Sequence, residues 1–496
     1  MASCGTGEDA KDEIMPKRKP YDRDRNCLRC RAEPGRIVIR NCVYCKECFY
    51  STVSLKFRKA LAQLLNQNEK TKKAKTREDH NAGDLILGFS GGIGSAILLD
   101  MVWRRYILDA DEKQGIDATS GSEKRRPSVW KKIRVVYVEQ CAAYSNLSDR
   151  SSEVRRIIDK YPEYQLTVLR IENAFDSTWW TSHGDVNHNS SGHDLGLDIS
   201  SLSLTRGVPD APSSPADRLR LYLDSFPTST AVTHAINTLI RLLLQYFARS
   251  TGSSHILLGS SLTSLSVSLI SGISQGSGFT VREERDETWE GIRISRPLRE
   301  IGVKECAAWL WWRGLEVLPK SAIDLSVSRE AMTIQRLTGG DSNHSHLSRF
   351  LKLITPPVCL DFIIGLERDY PSTVSAISRT LEKVRAKGES SGCCLLCQRS
   401  AQRGVQAWKA KISMHELDSS SVSSSYDQSS FIEGLCYPCH TSLTSRRSRS
   451  RKPITGQTVL PMWVTDSAVG LENSGSSPKK MGRAEMRGTI SEFLLE

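Results

Sequence analysis

The chain has 496 residues, with 68 lysines and arginines against 56 aspartates and glutamates, a formal charge of +12 and an apolar fraction of 39%. That length predicts about three domains, and the apolar fraction predicts folded cores diluted by polar insertions. No run approaches the roughly 20 apolar residues that cross a bilayer, and the opening MASCGTGEDAKDEIMPKRKP lacks the apolar stretch of a secretory signal. Membrane and secreted classes are therefore set aside, and a cytoplasmic location is expected. The basic balance suits a polyanionic partner such as RNA without requiring one.

In chain order, residues 1–25 are polar and charged and read as a disordered tail. Residues 26–50 hold two Cys-x-x-Cys knuckles, Cys27/Cys30 and Cys45/Cys48, with 14 residues between them. Each knuckle turns two thiolates toward one tetrahedral ion, so the pair predicts a zinc ribbon-like module. Cys42 offers an alternative knuckle with Cys45, though the Cys45/Cys48 pair leaves a longer loop for a hairpin. Residues 51–80 predict a basic helix, in which Phe57, Leu61, Leu64 and Leu65 recur at helical spacing over 51–68. Its end, Lys70 to Arg77, faces either RNA or solvent.

Residues 81–345 alternate between strand and helix patterns. LILGFS is a continuous apolar run of strand length, and SAILLDMVWRR reads as a helix. Strands follow at 133–140, 164–171 and 255–261, with helices at 150–161 and through Val232, Ile236, Leu239, Leu243 and Phe247. Such alternation predicts an α/β domain with a parallel sheet. Two polar stretches, 109–129 and 174–227, read as insertions. The second carries His183, His188 and His193 at no regular ligand spacing.

Residues 346–445 predict a helical segment and a second zinc module. Its knuckles are Cys394/Cys397 and Cys436/Cys439, 38 residues apart, with Cys393 and His440 as spare candidates. In a reducing compartment these cysteines are thiols or metal ligands rather than disulfides. Both sites read as structural zinc, because four thiolates leave no open position. Residues 446–496 read as a basic, flexible tail, with a linker at 466–485.

The first predicted strand ends in Ser90-Gly91-Gly92-Ile93-Gly94-Ser95. Strand, glycine turn and helix form a context for anion binding, since free N–H groups and the helix dipole point at the turn. The loop is neither a Walker A motif nor a dinucleotide fingerprint. Its Ser-Gly-Gly-x-x-Ser pattern resembles the PP-loop of ATP pyrophosphatases, which adenylate a carbonyl oxygen. With the leading Cys-x-x-Cys, YCKECF, the basic helix and the late CLLCQ and CYPC, the chain resembles the subunit 2 family of the eukaryotic cytoplasmic tRNA 2-thiolation complex. The resemblance covers roughly residues 25–440, apart from the insertions.

The resemblance implies a PP-loop α/β domain (adenine nucleotide alpha hydrolase-like) between two zinc modules. It implies 2-thiolation of the wobble uridine in tRNAs for Lys, Glu and Gln. It also implies a heterodimer with a catalytic subunit, and sulfur arriving as a thiocarboxylate on a ubiquitin-related modifier protein. Catalytic loops of this kind read Ser-Gly-Gly-x-Asp-Ser, often with Lys before the Asp; Ile93 and Gly94 stand there in this chain. At the later strand end, where catalytic relatives read Gly-His-x-x-Asp-Asp, Gly259 is kept, but Ser260 stands for the His and Thr263 and Ser264 for the two Mg²⁺ carboxylates. Between Ser90 and His346 only Cys141 and Cys306 remain where catalytic relatives carry a cysteine trio, and both read as core thiols. Ser90, Gly91, Gly92 and Ser95 still admit a phosphate-sized anion, while ATP as a working cofactor is in question. The reading is a non-catalytic subunit. Its rivals are an ATP-dependent tRNA sulfurtransferase acting by itself and a zinc-ribbon nucleic-acid-binding protein.

Overall fold

The computed structural model describes residues 25–40, 42–66, 83–108, 130–144, 147–184, 214–318, 357–384, 390–402, 405, 434–445 and 460–464. The tail 1–24, Lys70–Arg77, the first insertion at 109–129, His188, His193, the Ser-rich loop of the second module and the proposed linker lie outside these residues.

A short antiparallel hairpin, β1 (Ile37–Ile39) with β2 (Cys42–Tyr44), leads into helix α1 (Lys46–Asn66). The α/β domain follows: β3 (Asp84–Gly88), α2 (Ile93–Trp103), β4 (Ile133–Glu139), α3 (Ser151–Ile158), β5 (Gln165–Arg170), α4 (Ser177–His183), α5 (Pro215–Ser225), α6 (Ser229–Ser250), β6 (Ser253–Leu258), α7 (Leu262–Ser274), β7 (Asp286–Trp289), β8 (Ile292–Ser295) and α8 (Val303–Arg313). Helices α9 (Pro357–Asp369) and α10 (Pro371–Lys383), the short strands β9 (Ser390–Cys393) and β10 (Ser400–Gln402), and α11 (Tyr437–Thr444) complete the described chain.

The six-stranded sheet runs β5-β4-β3-β6-β8-β7; every neighbouring pair is parallel except β7 with β8. A parallel sheet is covered on both faces, and the alternation of side chains shows how. Leu85, Leu87, Val135, Tyr137 and Leu257 point to one face, where α1, α2, α3 and α8 pack. Ile86, Val136, Val138, Ile256 and Ile294 point to the other, under α4, α5 and α6. Helix α7 makes a third, smaller core with α9 and α10 through Leu262, Val267, Leu360, Ile363 and Val374.

Each end of the chain joins one face. Helix α1 buries Phe49, Val53, Phe57 and Leu61 on the α2/α8 side. Phe49 meets Trp312 edge to face at 5.0 Å, and Tyr50 meets Trp309 at 4.9 Å. On the opposite face the second cysteine module and Leu460, Trp463 and Val464 pack with α4, α5 and α6. Trp463 stacks near Tyr246 at 6.0 Å and donates its indole N–H to the Leu396 carbonyl at 3.2 Å.

The structure departs from the sequence reading in three places. Helix α1 begins at Lys46, not 51, because Cys45 turns the chain directly into the helix. The stretch 174–227 is not an insertion at its ends. Trp179 and Trp180 of α4, and Leu219, Tyr222, Leu223 and Phe226 at and after α5, are core residues whose apolar spacing was hidden by the polar middle. Residues 460–464 are buried, although they fall in the stretch read as a flexible tail. His183 stacks on Trp179 at 4.4 Å, with Nδ1 at 3.0 Å from the Trp179 carbonyl, and so caps α4.

Trp463→Ala is expected to cost about 3–5 kcal/mol as a buried aromatic truncation, whereas Trp311→Ala, at a side chain 78% exposed, stays within about 0.5 kcal/mol. Urea unfolding measures both. His255 of β6 is buried against Trp130 and held by burial down to about 4, with Nδ1 bonded to the Ser254 hydroxyl at 2.9 Å. Between its free-chain value and about 4 the unfolded state takes up the proton and the folded state does not. Stability is therefore lost as pH falls through that window, by up to about 3 kcal/mol. His255→Phe is expected to remove that component from the pH dependence of urea midpoints.

Candidate functional site

The order of the parallel strands reverses between β3 and β6, where β4 and β5 extend one way and β8 the other. Ligands of open α/β sheets bind in the crevice at such a switch point, beyond the strands' carboxyl ends. Two loops meet there: Phe89–Gly92 after β3 and Gly259–Ser261 after β6. The predicted residues Ser90, Gly91, Gly92 and Ser95 are brought together at this crevice. Gly92 caps α2 without any side-chain bond. Gly91 adopts a left-handed φ of +77° that favours glycine.

The loop is shaped like an anion cradle, but its groups are committed inward. Ser95 is buried and donates its hydroxyl to the Gly92 carbonyl at 2.9 Å; Ser90 reaches the Ser95 hydroxyl at 3.4 Å. Leu318 donates its backbone N–H to the Gly91 carbonyl at 2.9 Å, and a Cβ on Gly91 would lie 2.2 Å from the Leu318 side chain. Gly94 is in backbone contact with the second loop. A Cβ there would lie 1.9 Å from the Gly259 carbonyl oxygen, and a Cβ on Gly259 would lie 2.5 Å from Gly94. An aspartate at position 94 has no room.

The hydroxyls beyond β6 are joints of the fold. Thr263 is fully buried, donates to Glu367 Oε2 of α9 at 2.8 Å and accepts the Val303 N–H at 3.0 Å. Burial raises the Glu367 carboxyl, which suits a carboxylate facing a hydroxyl rather than a cation. Ser264 donates to the Ser261 carbonyl at 3.0 Å within the first turn of α7. Of the two cysteines near the crevice, Cys306 is buried with its thiol pushed up by burial, and the thiol of half-buried Cys141 is pushed up for the same reason. Neither has the environment of a reactive thiolate.

One carboxylate at the strand ends was missed in the sequence. Glu139 ends β4 with 1% exposure and accepts N–H bonds from Gln140, Cys141 and Arg150 at 2.8, 3.2 and 2.9 Å. It ties down the loop that leads into α3. An acidic residue closing the run IRVVYVE was its sequence signal.

The eight predicted cysteines form two groups, Cys27/Cys30/Cys45/Cys48 and Cys394/Cys397/Cys436/Cys439, with the sulfurs of each within 4.8 Å of one another. Four thiolates about 2.3 Å from a common tetrahedral ion lie roughly 3.8 Å apart. Cys30 and Cys45 are 3.8 Å apart, and Cys397 and Cys436 are 3.6 Å apart. Each group could therefore hold a metal ion. Cys42 lies in β2 opposite Ile39, outside the first group. Cys393 is exposed and His440 is packed against Thr444, both outside the second group. Burial pushes the Cys27 thiol up, but N–H groups of Cys30, Cys45 and Arg29 outweigh it and bring it down to about 6. Cys397 is held well below the usual thiol range by hydrogen bonds from Cys394, Cys436 and Cys439. In each group one thiol is thus held down while its neighbours, Cys45 and Cys48 in the first and Cys436 and Cys439 in the second, are pushed up by burial and by sharing hydrogen bonds with it.

A second feature the sequence did not show surrounds the later group. Arg241 of α6 bonds the Cys397 carbonyl and Glu287, while Arg399 pairs with Glu284 and lies 3.7 Å from Glu283 and 3.6 Å from Glu287. An arginine inside the otherwise apolar run of α6 was the signal.

The strand order, the glycine loop at the switch point and the two flanking cysteine groups define a PP-loop-type α/β protein. The family model described as "Cytoplasmic tRNA 2-thiolation protein 2" matches residues 357–441. The chain is 25% identical over 563 aligned residues to cytoplasmic tRNA 2-thiolation protein 2-B of Xenopus laevis, covering 99% of each chain. It is 24% identical over 442 residues to cytoplasmic tRNA 2-thiolation protein 2 of Homo sapiens, covering 79% of this chain and 76% of the human one. Among solved structures, the U34-tRNA thiolase NcsA of Methanococcus maripaludis with its 4Fe-4S cluster aligns with 74% of this chain and 91% of its own, at 14% identity and a TM-score of 0.40. Over most of its length the chain is similar to proteins of the cytoplasmic tRNA 2-thiolation protein 2 family, and the family model matches its C-terminal part.

Gly94→Asp is expected to destabilise the domain by about 1–3 kcal/mol or more, as overpacking does, and to confer no binding of Mg²⁺-ATP. Thermal unfolding and calorimetric titration with Mg²⁺-ATP check the two parts.

Proposed function

We propose that this chain is a non-catalytic subunit of the complex that 2-thiolates the wobble uridine of cytoplasmic tRNAs for Lys, Glu and Gln. A catalytic thiolase subunit performs the adenylation and sulfur transfer, with sulfur delivered as a thiocarboxylate on a ubiquitin-related modifier protein. The observation that carries this reading is the backbone contact of Gly94 with Gly259. It closes the place where an aspartate would meet the nucleotide, and Thr263 and Ser264 spend their hydroxyls on Glu367 and Ser261. Without charged groups to hold Mg²⁺, charge built up in adenylyl transfer is not stabilised.

A fold that keeps its sheet but not its chemistry serves as a docking partner. A related sheet domain offers a pseudo-symmetric surface, the heterodimeric version of a two-fold interface. The basic balance of the chain supports a share in gripping tRNA. The two cysteine groups are assigned to structural zinc, held by Cys27, Cys30, Cys45 and Cys48 and by Cys394, Cys397, Cys436 and Cys439. When bound, zinc supplies cross-linking of the knuckles. The boundaries proposed are a first module at 26–50, a basic helix to 80, the α/β domain at 81–345 and the second module to 445, to which the structure adds the buried segment 460–464.

The purified chain alone is expected to give background ATP–pyrophosphate exchange, and cells lacking it are expected to lose the thiolated tRNA retarded in a mercury-containing gel. Normal thiolation in such cells, or robust exchange by the chain alone, overturns the reading.

A further inference from the structure

The two cysteine groups have the same ligands but sit in different surroundings. In the first, Cys27 and Cys45 are buried, but Cys48 is half-buried and Cys30 exposed, and Leu28 between Cys27 and Cys30 is 54% exposed. The knuckle around Cys30 is held to the rest of the chain by polar contacts at the surface. Arg29 donates to the hydroxyls of Ser51 and Thr52 at 2.9 and 3.2 Å. The apolar contacts of α1 begin after the last ligand, at Phe49.

In the second group all four cysteines are buried and belong to the same core cluster as Tyr222, Leu239 and Trp463. The knuckle is stitched on every side. Leu395 N–H donates to the Gly434 carbonyl at 3.0 Å, Trp463 to Leu396, and Gln398 Nε2 to the Tyr246 hydroxyl at 2.5 Å. His234 Nε2 stands 3.8 Å from Cys439 Sγ. A four-thiolate zinc centre carries two negative charges in excess, which burial makes costly unless they are offset. Arg241 and Arg399 stand beside Cys397, one on its carbonyl and one two residues along the chain, each tied to glutamates that fix its position. A cavity of about 360 Å³ reaches Cys397 and Cys436 from the side of α6, but Arg241, Arg296 and Arg399 line it. Glu284 lines it too, paired with Arg399, so this side of the centre is walled by side chains fixed in ion pairs.

We infer that the two metal centres differ in kind. The N-terminal one is a surface site whose ion exchanges with solvent through Cys30. The C-terminal one is a core site whose ion stays while the α/β domain is folded, with Arg241 as its positioning counter-charge. This rests on the assignment of both groups to zinc made above. Exchange at an exposed thiolate needs one side chain to swing out, whereas exchange in a core needs the domain to open, and such openings span the whole range of local to global stability. Zinc availability would then act on the β1–β2 hairpin and the first turn of α1, and leave the sheet domain intact.

The test is isotope exchange on the full chain. Protein carrying two zinc ions of natural abundance is incubated with excess zinc-67, and native mass spectrometry counts the ions replaced. One ion is expected to exchange at least about 100-fold faster than the other, with the slow one released only when urea unfolds the domain. Cys30→Ser is expected to abolish the fast ion and keep the domain's thermal transition. Arg241→Met is expected to let the second ion exchange in the folded chain, and Arg241→Lys to restore its retention. Cobalt substitution gives a second readout, since the thiolate-to-cobalt band of the slow site shifts in Arg241→Met and returns in Arg241→Lys. Two ions exchanging at equal rates, or loss of the slow ion in Cys30→Ser, overturn the asymmetry while leaving the zinc assignment in place. A chain isolated without zinc overturns that assignment, and the asymmetry with it.

Discussion

Five parallel strands bury apolar side chains on both faces, and neither face can be left to water. The α/β crossovers cover part of each face, and the two ends of the chain cover the rest. Helix α1, launched from the first cysteine group, lies with α8 on one side, fixed by Phe49, Tyr50, Trp309 and Trp312. The second cysteine group and Trp463 lie with α6 on the other. The cysteine modules are thus part of how the sheet is closed. Their order along the chain, one before the sheet and one after, assigns one module to each face.

The same closure explains the condition of the switch-point crevice. Gly94 and Gly259 let two strand-end loops meet backbone to backbone, and Leu318 is drawn over Gly91. Thr263 and Glu367 join α7 to α9 directly beneath, and Val303 binds the same hydroxyl from α8. Once charge is absent from these positions, packing and neutral hydrogen bonds occupy them. A buried hydroxyl with two partners is stable at little cost, while a carboxylate there would need a cation.

Around the second group, charge is arranged in alternation rather than removed. Arg241, Glu287, Arg399 and Glu284 form a chain of ion pairs between α6, β7 and the cysteine knuckle. The Glu284 carboxyl, despite burial that pushes it up, is brought down to about 2 by Arg399 and Arg296. Removing one member would leave an unpaired buried charge, which is more damaging than the net worth of the pair. That makes the network a device of position: it holds the knuckle in one orientation against the sheet.

Local pattern sufficed for much of this protein. The βα alternation, the glycine loop and the four Cys-x-x-Cys knuckles are short-range features, because strand runs, tight turns and chelating turns are each set by residues a few positions apart. So is the absence of charge at Ile93 and Gly94. Other features were invisible there because they join residues far apart in the chain. Trp463 reads as part of a polar tail until it meets Tyr246 and Trp180. Trp179, Leu219 and Tyr222 are masked by the polar stretch between them. Arg241 looks like an interruption of an apolar helix until Cys397 and Glu287 are placed beside it. The sequence by itself determined which cysteines each group brings together and which charges the loop lacks, since chemistry belongs to residue type. Only the tertiary structure decided that one group reaches the surface through Cys30 while the other is wholly buried, and that Gly94 has no room for a side chain, since burial and close approach depend on what the rest of the chain brings alongside.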